Sequence, residues 1–204
     1  MWRFSICLLL GLMSTTTCGG EFNSVLKIGD AAPAWKDLPG TDGKTHSLAD
    51  LAKVPVVVVV FTCNSCPVAR DYEDRTIALA TKYADRVAFV AINVNRIPED
   101  SLENMLERAT EKQFPYAYLF DESQQIAKDF GATFTPEFFV LDAERKVVYM
   151  GGMDDSSSAQ LVMRQDLVTA IEAVLKGEAP KIQETLSRGC RIRYARSRPA
   201  KNSP

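Results

Sequence analysis

Cys63-Asn64-Ser65-Cys66 stands between a run of apolar residues, Val54 to Phe61 broken only by Pro55, and a stretch that opens with Pro67 and continues at helical intervals. At the start of a helix, unpaired backbone N–H groups and the positive end of the helix dipole stabilise a thiolate, and they favour the first cysteine of such a pair. Cys63 is therefore expected to attack a disulfide. Cys66, one helical turn further in, is expected to resolve the mixed disulfide and release the reduced partner. The same spacing also builds zinc sites. Zinc takes about four protein ligands, however, and the only other candidates are Cys190 and His46, with no second Cys-x-x-Cys. A static disulfide is a further reading, although so short a loop restricts the unfolded chain little.

The elements around the pair follow from periodicity. Val54 to Phe61 is a β-branched run without polar alternation, as suits a central strand buried on both faces. Pro67 to Ala84 carries Val68, Tyr72, Ile77, Leu79, Ala80 and Tyr83 at helical spacing, with proline at an accepted first-turn position. Val87 to Val94 is the next strand, and Pro98 opens a helix to about Gln113. Tyr116 to Phe120 reads as a short strand, and Glu122 to Phe130 as a short helix closed by Gly131. Glu137 to Leu141 and Lys146 to Met150 alternate like paired strands, and Ala159 to Leu175 reads as a last amphipathic helix. Upstream, Asp42-Gly43 marks a hairpin, and Ser47 to Leu51 one helical turn. The sum is an α/β domain with a mixed central sheet flanked by helices.

The chain has 204 residues, with 24 Lys+Arg, 26 Asp+Glu, one His and five Cys. The near-neutral total hides an asymmetry: residues 21–187 hold 17 basic residues against all 26 acids, whereas Arg188 to Pro204 hold six basic residues and no acid. An acidic body with a basic end does not point to nucleic acid as a partner. The start, Met1-Trp2-Arg3, an apolar run from Phe4 to Met13 and then small polar residues up to Gly20, follows the three-part plan of a secretory signal. The run is shorter than the roughly 20 residues that span a bilayer. The expected layout is a signal at 1–20, one domain at 21–180 and a basic extension at 181–204. Cys18-Gly19-Gly20 stands where a bacterial lipoprotein carries its acylated cysteine, so both lipid anchoring through Cys18 and plain cleavage near Gly20 fit. Export to the periplasm or attachment to the cell-envelope membrane is the expected location.

Downstream, Thr133-Phe134-Thr135-Pro136-Glu137 places a proline just before a strand. A strand, Cys-x-x-Cys and helix, followed by Thr-Pro and a hairpin, resembles the thioredoxin fold, in which that proline is cis and faces the disulfide. The match extends over residues 25–178. Leu26 to Pro33 with Asp42-Gly43-Lys44 resembles the N-terminal extension of the redoxin and AhpC/TSA branch, which includes exported TlpA-like and ResA-like proteins. Cys63-Asn64-Ser65-Cys66-Pro67, Tyr72-Glu73-Asp74-Arg75, Pro98-Glu99-Asp100-Ser101, Tyr118 to Gln124 and Thr135 to Phe139 resemble a bacterial thioredoxin-like group that commonly reads Cys-Asn-x-Cys-Pro. Gly189 to Tyr194 echoes that group's late element.

The resemblance implies thiol–disulfide exchange with no cofactor, by Cys63 and Cys66 as the redox-active pair. It also implies that Thr135 and Pro136 dock a substrate chain by backbone hydrogen bonds. Protein thiols and disulfides are the implied substrates, with a separate reductant as partner. Two positions depart from the pattern: Val57 replaces the buried acid six residues before the first cysteine, and Ala69 replaces a Glu three residues after the second. Asp71, Glu73 and Glu137 are then the candidate proton acceptors for Cys66. The rival reading is a thiol peroxidase, which needs a Pro-x-x-x-Thr-x-x-Cys hydroxyl. Val60 occupies that place relative to Cys63, with Thr62 as the adjacent substitute.

Overall fold

The computed structural model describes residues 19–195. The expected signal, Cys18 and the last nine residues lie outside that range. A hairpin of β1 (Leu38–Pro39) and β2 (Thr45–His46) leads through a 3-10 turn to β3 (Val56–Phe61). There follow α1 (Pro67–Lys82), β4 (Val87–Asn93), α2 (Leu102–Lys112), β5 (Ala117–Phe120) and α3 (Gln125–Asp129). The chain continues through β6 (Phe134–Thr135), β7 (Glu137–Leu141), β8 (Val147–Gly151), α4 (Asp166–Leu175) and β9 (Cys190–Arg191). The main sheet has the order β5-β4-β3-β7-β8. β3, β4 and β5 run parallel, and β7 and β8 are antiparallel to their neighbours. This is the mixed sheet expected from the sequence.

β3 is central and every residue in it is buried. Its alternate side chains enter two cores. Val57, Val59 and Phe61 pack with Trp35, Ala127, Phe130 and Ile192 on one face. Val56, Val58 and Val60 pack with Tyr72, Met105, Leu167 and Ile171 of the other helices on the opposite face. A strand sandwiched in this way has no solvent side, which is why its sequence lacks polar alternation. It therefore ends abruptly, and the first residues past its carboxyl end are the cysteine loop.

Three helices start later than periodicity suggests: α3 at Gln125 rather than Glu122, and α2 and α4 by more. Pro98–Asp100 form a separate 3-10 turn, and Ser101, extended at φ −61° and ψ 154°, caps α2 by accepting the Asn104 N–H. The apolar pattern from Ala159 breaks after a 3-10 turn at Ala159–Leu161. The Asp155 carboxylate accepts the N–H groups of Met163 and Arg164, which holds this stretch out of the helix until Asp166. The described part of the basic extension is packed on the domain: β9 pairs with β6, and Ile192 enters the core.

Candidate active site

Cys66 is the N-cap of α1. Its backbone is extended, Pro67 fills the first helical position where no N–H is needed, and its sulfur accepts the Ala69 N–H at 3.3 Å. Cys63 lies three residues earlier in the turn that joins β3 to α1. Both sulfurs are free thiols and almost completely buried.

The Thr135–Pro136 peptide is cis, and Thr135 touches both cysteines. Its carbonyl oxygen is 3.1 Å from Cys66 Sγ and its hydroxyl 3.5 Å from Cys63 Sγ. The four residues named as the site, Cys63, Cys66, Thr135 and Pro136, thus come together at the carboxyl end of β3. The edge of Thr135, which the resemblance assigns to a substrate chain, is paired antiparallel with β9 of this same chain: Thr135 stands opposite Cys190 and Phe134 opposite Arg191. Gly189 makes that approach feasible, because a Cβ there would lie 2.0 Å from the Thr135 carbonyl oxygen.

Beneath the turn sits an acid that sequence inspection missed. Asp100 is fully buried. Its carboxylate accepts the Ser65 N–H at 3.0 Å, the Ser65 hydroxyl at 2.6 Å and the Asn95 amide at 3.2 Å. Asn93, at the end of β4, donates to the Asp100 carbonyl. Tyr118 and the Glu99 carbonyl hold the Asn64 side chain. The Ser65 hydroxyl gives its proton to Asp100, so it turns a lone pair towards Cys63 Sγ, 3.6 Å away.

The two thiols shift each other in opposite directions. Cys66 is pulled down to about 4, first by the hydrogen bond from Cys63 and further by Cys190, Thr135 and the Ala69 N–H. Cys63 is pushed above the ordinary thiol range by that same bond, by burial and by the Asp100 charge. The sequence expectation placed the stabilised thiolate on Cys63. The first cause of the difference is the hydrogen bond from Cys63, to which the Ala69 N–H at the Cys66 cap adds. The 3.1 Å contact to the Thr135 carbonyl is a hydrogen bond only when Cys66 carries the proton. Thr135 therefore favours the alternative arrangement, with the proton on Cys66 and the charge on Cys63, towards which the Thr135 hydroxyl can turn its one proton from the Cys190 carbonyl.

The three acids named as proton acceptors do other things. Asp71 is exposed on α1. Glu73 is clamped by Arg108 at 2.5 and 3.1 Å. Glu137, raised by burial, accepts the N–H groups of Thr133 and Phe134 and so shapes the loop that carries Thr135. His46 faces Asp42 in the hairpin turn.

Residues 27–170 match the family described as Redoxin. The chain belongs to the redoxin family. Among solved structures, this redoxin is similar to an uncharacterized conserved protein from Geobacillus kaustophilus at 35% identity and a TM-score of 0.78, over 84% of this chain and 94% of that one. It is also similar to a hypothetical protein from Sinorhizobium meliloti at 32% identity and a TM-score of 0.80, over 86% and 98%. A Chlorobium tepidum protein described as a candidate thiol:disulfide interchange protein DsbE aligns at 25% identity and a TM-score of 0.54, over 61% and 84%. No curated protein matches the sequence. The redoxin has a thioredoxin-like fold, and its family and neighbours support a thioredoxin-like redox function.

Proposed function

We propose that this redoxin is an exported bacterial thiol–disulfide oxidoreductase of the TlpA/ResA-like branch, in which Cys63 and Cys66 cycle between dithiol and disulfide to reduce or exchange disulfides in proteins. The observation that carries the reading is the contact of Thr135 with both free sulfurs at the start of α1. The signal-like first twenty residues support export, and Cys18 is the proposed lipid anchor.

Cys63 hands its proton to Cys66, whose new S–H is received by the Thr135 carbonyl, and the Cys63 thiolate attacks a substrate disulfide. One S–S bond breaks, a Cys63–substrate S–S bond forms, and the first substrate sulfur leaves as a thiolate that takes a proton from water. Cys66 then attacks the Cys63 sulfur. The second substrate sulfur leaves and takes the proton that Cys66 gives up. Two electrons pass from the pair to the substrate, and a separate dithiol reductant restores them. A peroxidase site would set an arginine beside the attacking sulfur, whereas here the Asp100 charge stands next to Cys63.

Cys63→Ser should abolish reduction of a disulfide-bonded protein, and Cys66→Ser should accumulate the Cys63 mixed disulfide. Hydrogen peroxide turnover by Cys66→Ser, without any reaction at disulfides, would overturn the reading. Cys18→Ala should move the protein out of the membrane fraction, and an unchanged distribution removes the anchor.

A further inference from the structure

Cys190 has no part in the cycle above, yet three observations tie it to the pair. It packs on the same small cluster as Cys63, Cys66, Ala69 and Val68. Its strand is held against Thr135 by the β6–β9 pairing, by the Ile192 N–H donated to the Thr133 carbonyl at 3.0 Å, and by the Thr135 hydroxyl donated to the Cys190 carbonyl at 3.4 Å. Its thiol is pushed up by burial first and then by the neighbouring Cys66 sulfur, with the Val68 N–H acting against both.

We infer that Cys190 is a third redox thiol, a tethered partner that exchanges with the Cys63–Cys66 disulfide to give a Cys66–Cys190 disulfide. The inference rests on the thiol–disulfide reading above. In the step, the Cys190 thiolate attacks the Cys66 sulfur. The Cys63–Cys66 bond breaks, the Cys66–Cys190 bond forms, and Cys63 leaves as a thiolate able to take the proton that Cys190 lost. The number of electrons on the protein does not change, so no further oxidant is needed.

The pairing with Thr135 gives the step its logic. β9 occupies the backbone edge where the fold's resemblance places a substrate strand, and it carries a cysteine at that edge. The timing is set by the state of Cys66. In the dithiol, burial and the proton and charge shared with Cys66 push Cys190 up to about 11. Once Cys66 is held in a disulfide its charge is gone, which removes one of the causes that raise Cys190 while burial remains. The product stores the oxidising equivalent away from Cys63 and returns Cys63 as a free thiolate beside Thr135.

The test uses the full chain. Cys63→Ser, oxidised with glutathione disulfide, is expected to lose both remaining site thiols and to yield a Cys66–Cys190 peptide pair in a digest mapped without reductant. Adding Cys190→Ser should leave Cys66 carrying glutathione instead. Glutathione retained on Cys66 of Cys63→Ser, with Cys190 still free, would overturn the inference, as would a Cys190 disulfide that forms with Cys63 in Cys66→Ser and never with Cys66. A far-ultraviolet spectrum matching the parent checks that Cys63→Ser is folded. Wild-type protein assayed in parallel separates the two claims: if it forms the Cys63–Cys66 disulfide and reduces substrate while the Cys66–Cys190 link never appears, only the role of Cys190 falls.

Discussion

Two buried acids flank α1 and behave differently. Glu73 lies on the side of the helix, where the Arg108 guanidinium grips both of its oxygens and Arg108 is in turn held by Glu111. Asp100 lies under the amino end and meets only neutral donors, from Ser65 and Asn95. A carboxylate matched by a guanidinium is electrically closed and ties α1 to α2. A carboxylate matched by N–H and O–H groups is not neutralised by a partner, and the Cys63 thiol is among the groups that respond to it. One acid fastens the scaffold, whereas the other sets the electrostatics of the site.

The sharpest test of this contrast is at Thr135, which touches both sulfurs. Thr135→Val removes the hydroxyl that can donate to the Cys63 thiolate. Disulfide reduction should fall about tenfold, the cost of roughly one hydrogen bond to a charged group. A rate equal to wild type would show that the hydroxyl does not support the attacking thiolate.

Glu73→Gln should act on stability alone. Loss of the charge opposite a largely buried Arg108 is expected to cost about 2 kcal/mol in a denaturant titration. The reduction rate should not change. A changed rate with unchanged stability would reverse the roles given to the two acids.

The smallest effect is a titration. The thiolate absorbance of the reduced pair should persist as pH falls from neutral and vanish only through about 4, because the depressed thiol binds its proton only below that value. Asp100→Asn removes a charge that holds the Cys63 proton on, so the second, higher step should move down in pH. Glu73→Gln should leave both steps in place. Single-step loss of the absorbance near the ordinary thiol value of 9.0 would show that the two sulfurs do not shift each other.

Much of this arrangement could be read from the sequence because it is local. The Val54 to Phe61 run announces a strand with two buried faces, and Cys66-Pro67 announces a helix start. Thr135-Pro136 became legible only through resemblance, since a proline before a strand is by itself an ordinary trans residue. Asp100 could not be found in this way: Pro98-Glu99-Asp100-Ser101 looks like a solvated helix start, and only the crossover from β4 brings it under Ser65. The helix dipole argument identified the correct end of α1; which sulfur caps it depends on which side chain turns back on the helix. The alternation of Cys190, Ile192 and Tyr194 with Arg191 and Arg193 reads as a strand, but its partner β6 is too short for periodicity to identify.

The family match closes at residue 170, but the site does not. A chain trimmed to that boundary would retain both cysteines of the pair and the entire main sheet, yet it would lose Gly189, Cys190 and Ile192 together. The backbone edge at Thr135 would then lie open beside a reactive sulfur, with a gap in the core where Ile192 had packed. Such an edge accepts whatever strand arrives, including that of another copy. Here the stretch from Gly189 to Ile192 covers that edge, so the same residues that complete the core also keep the backbone beside the cysteines paired.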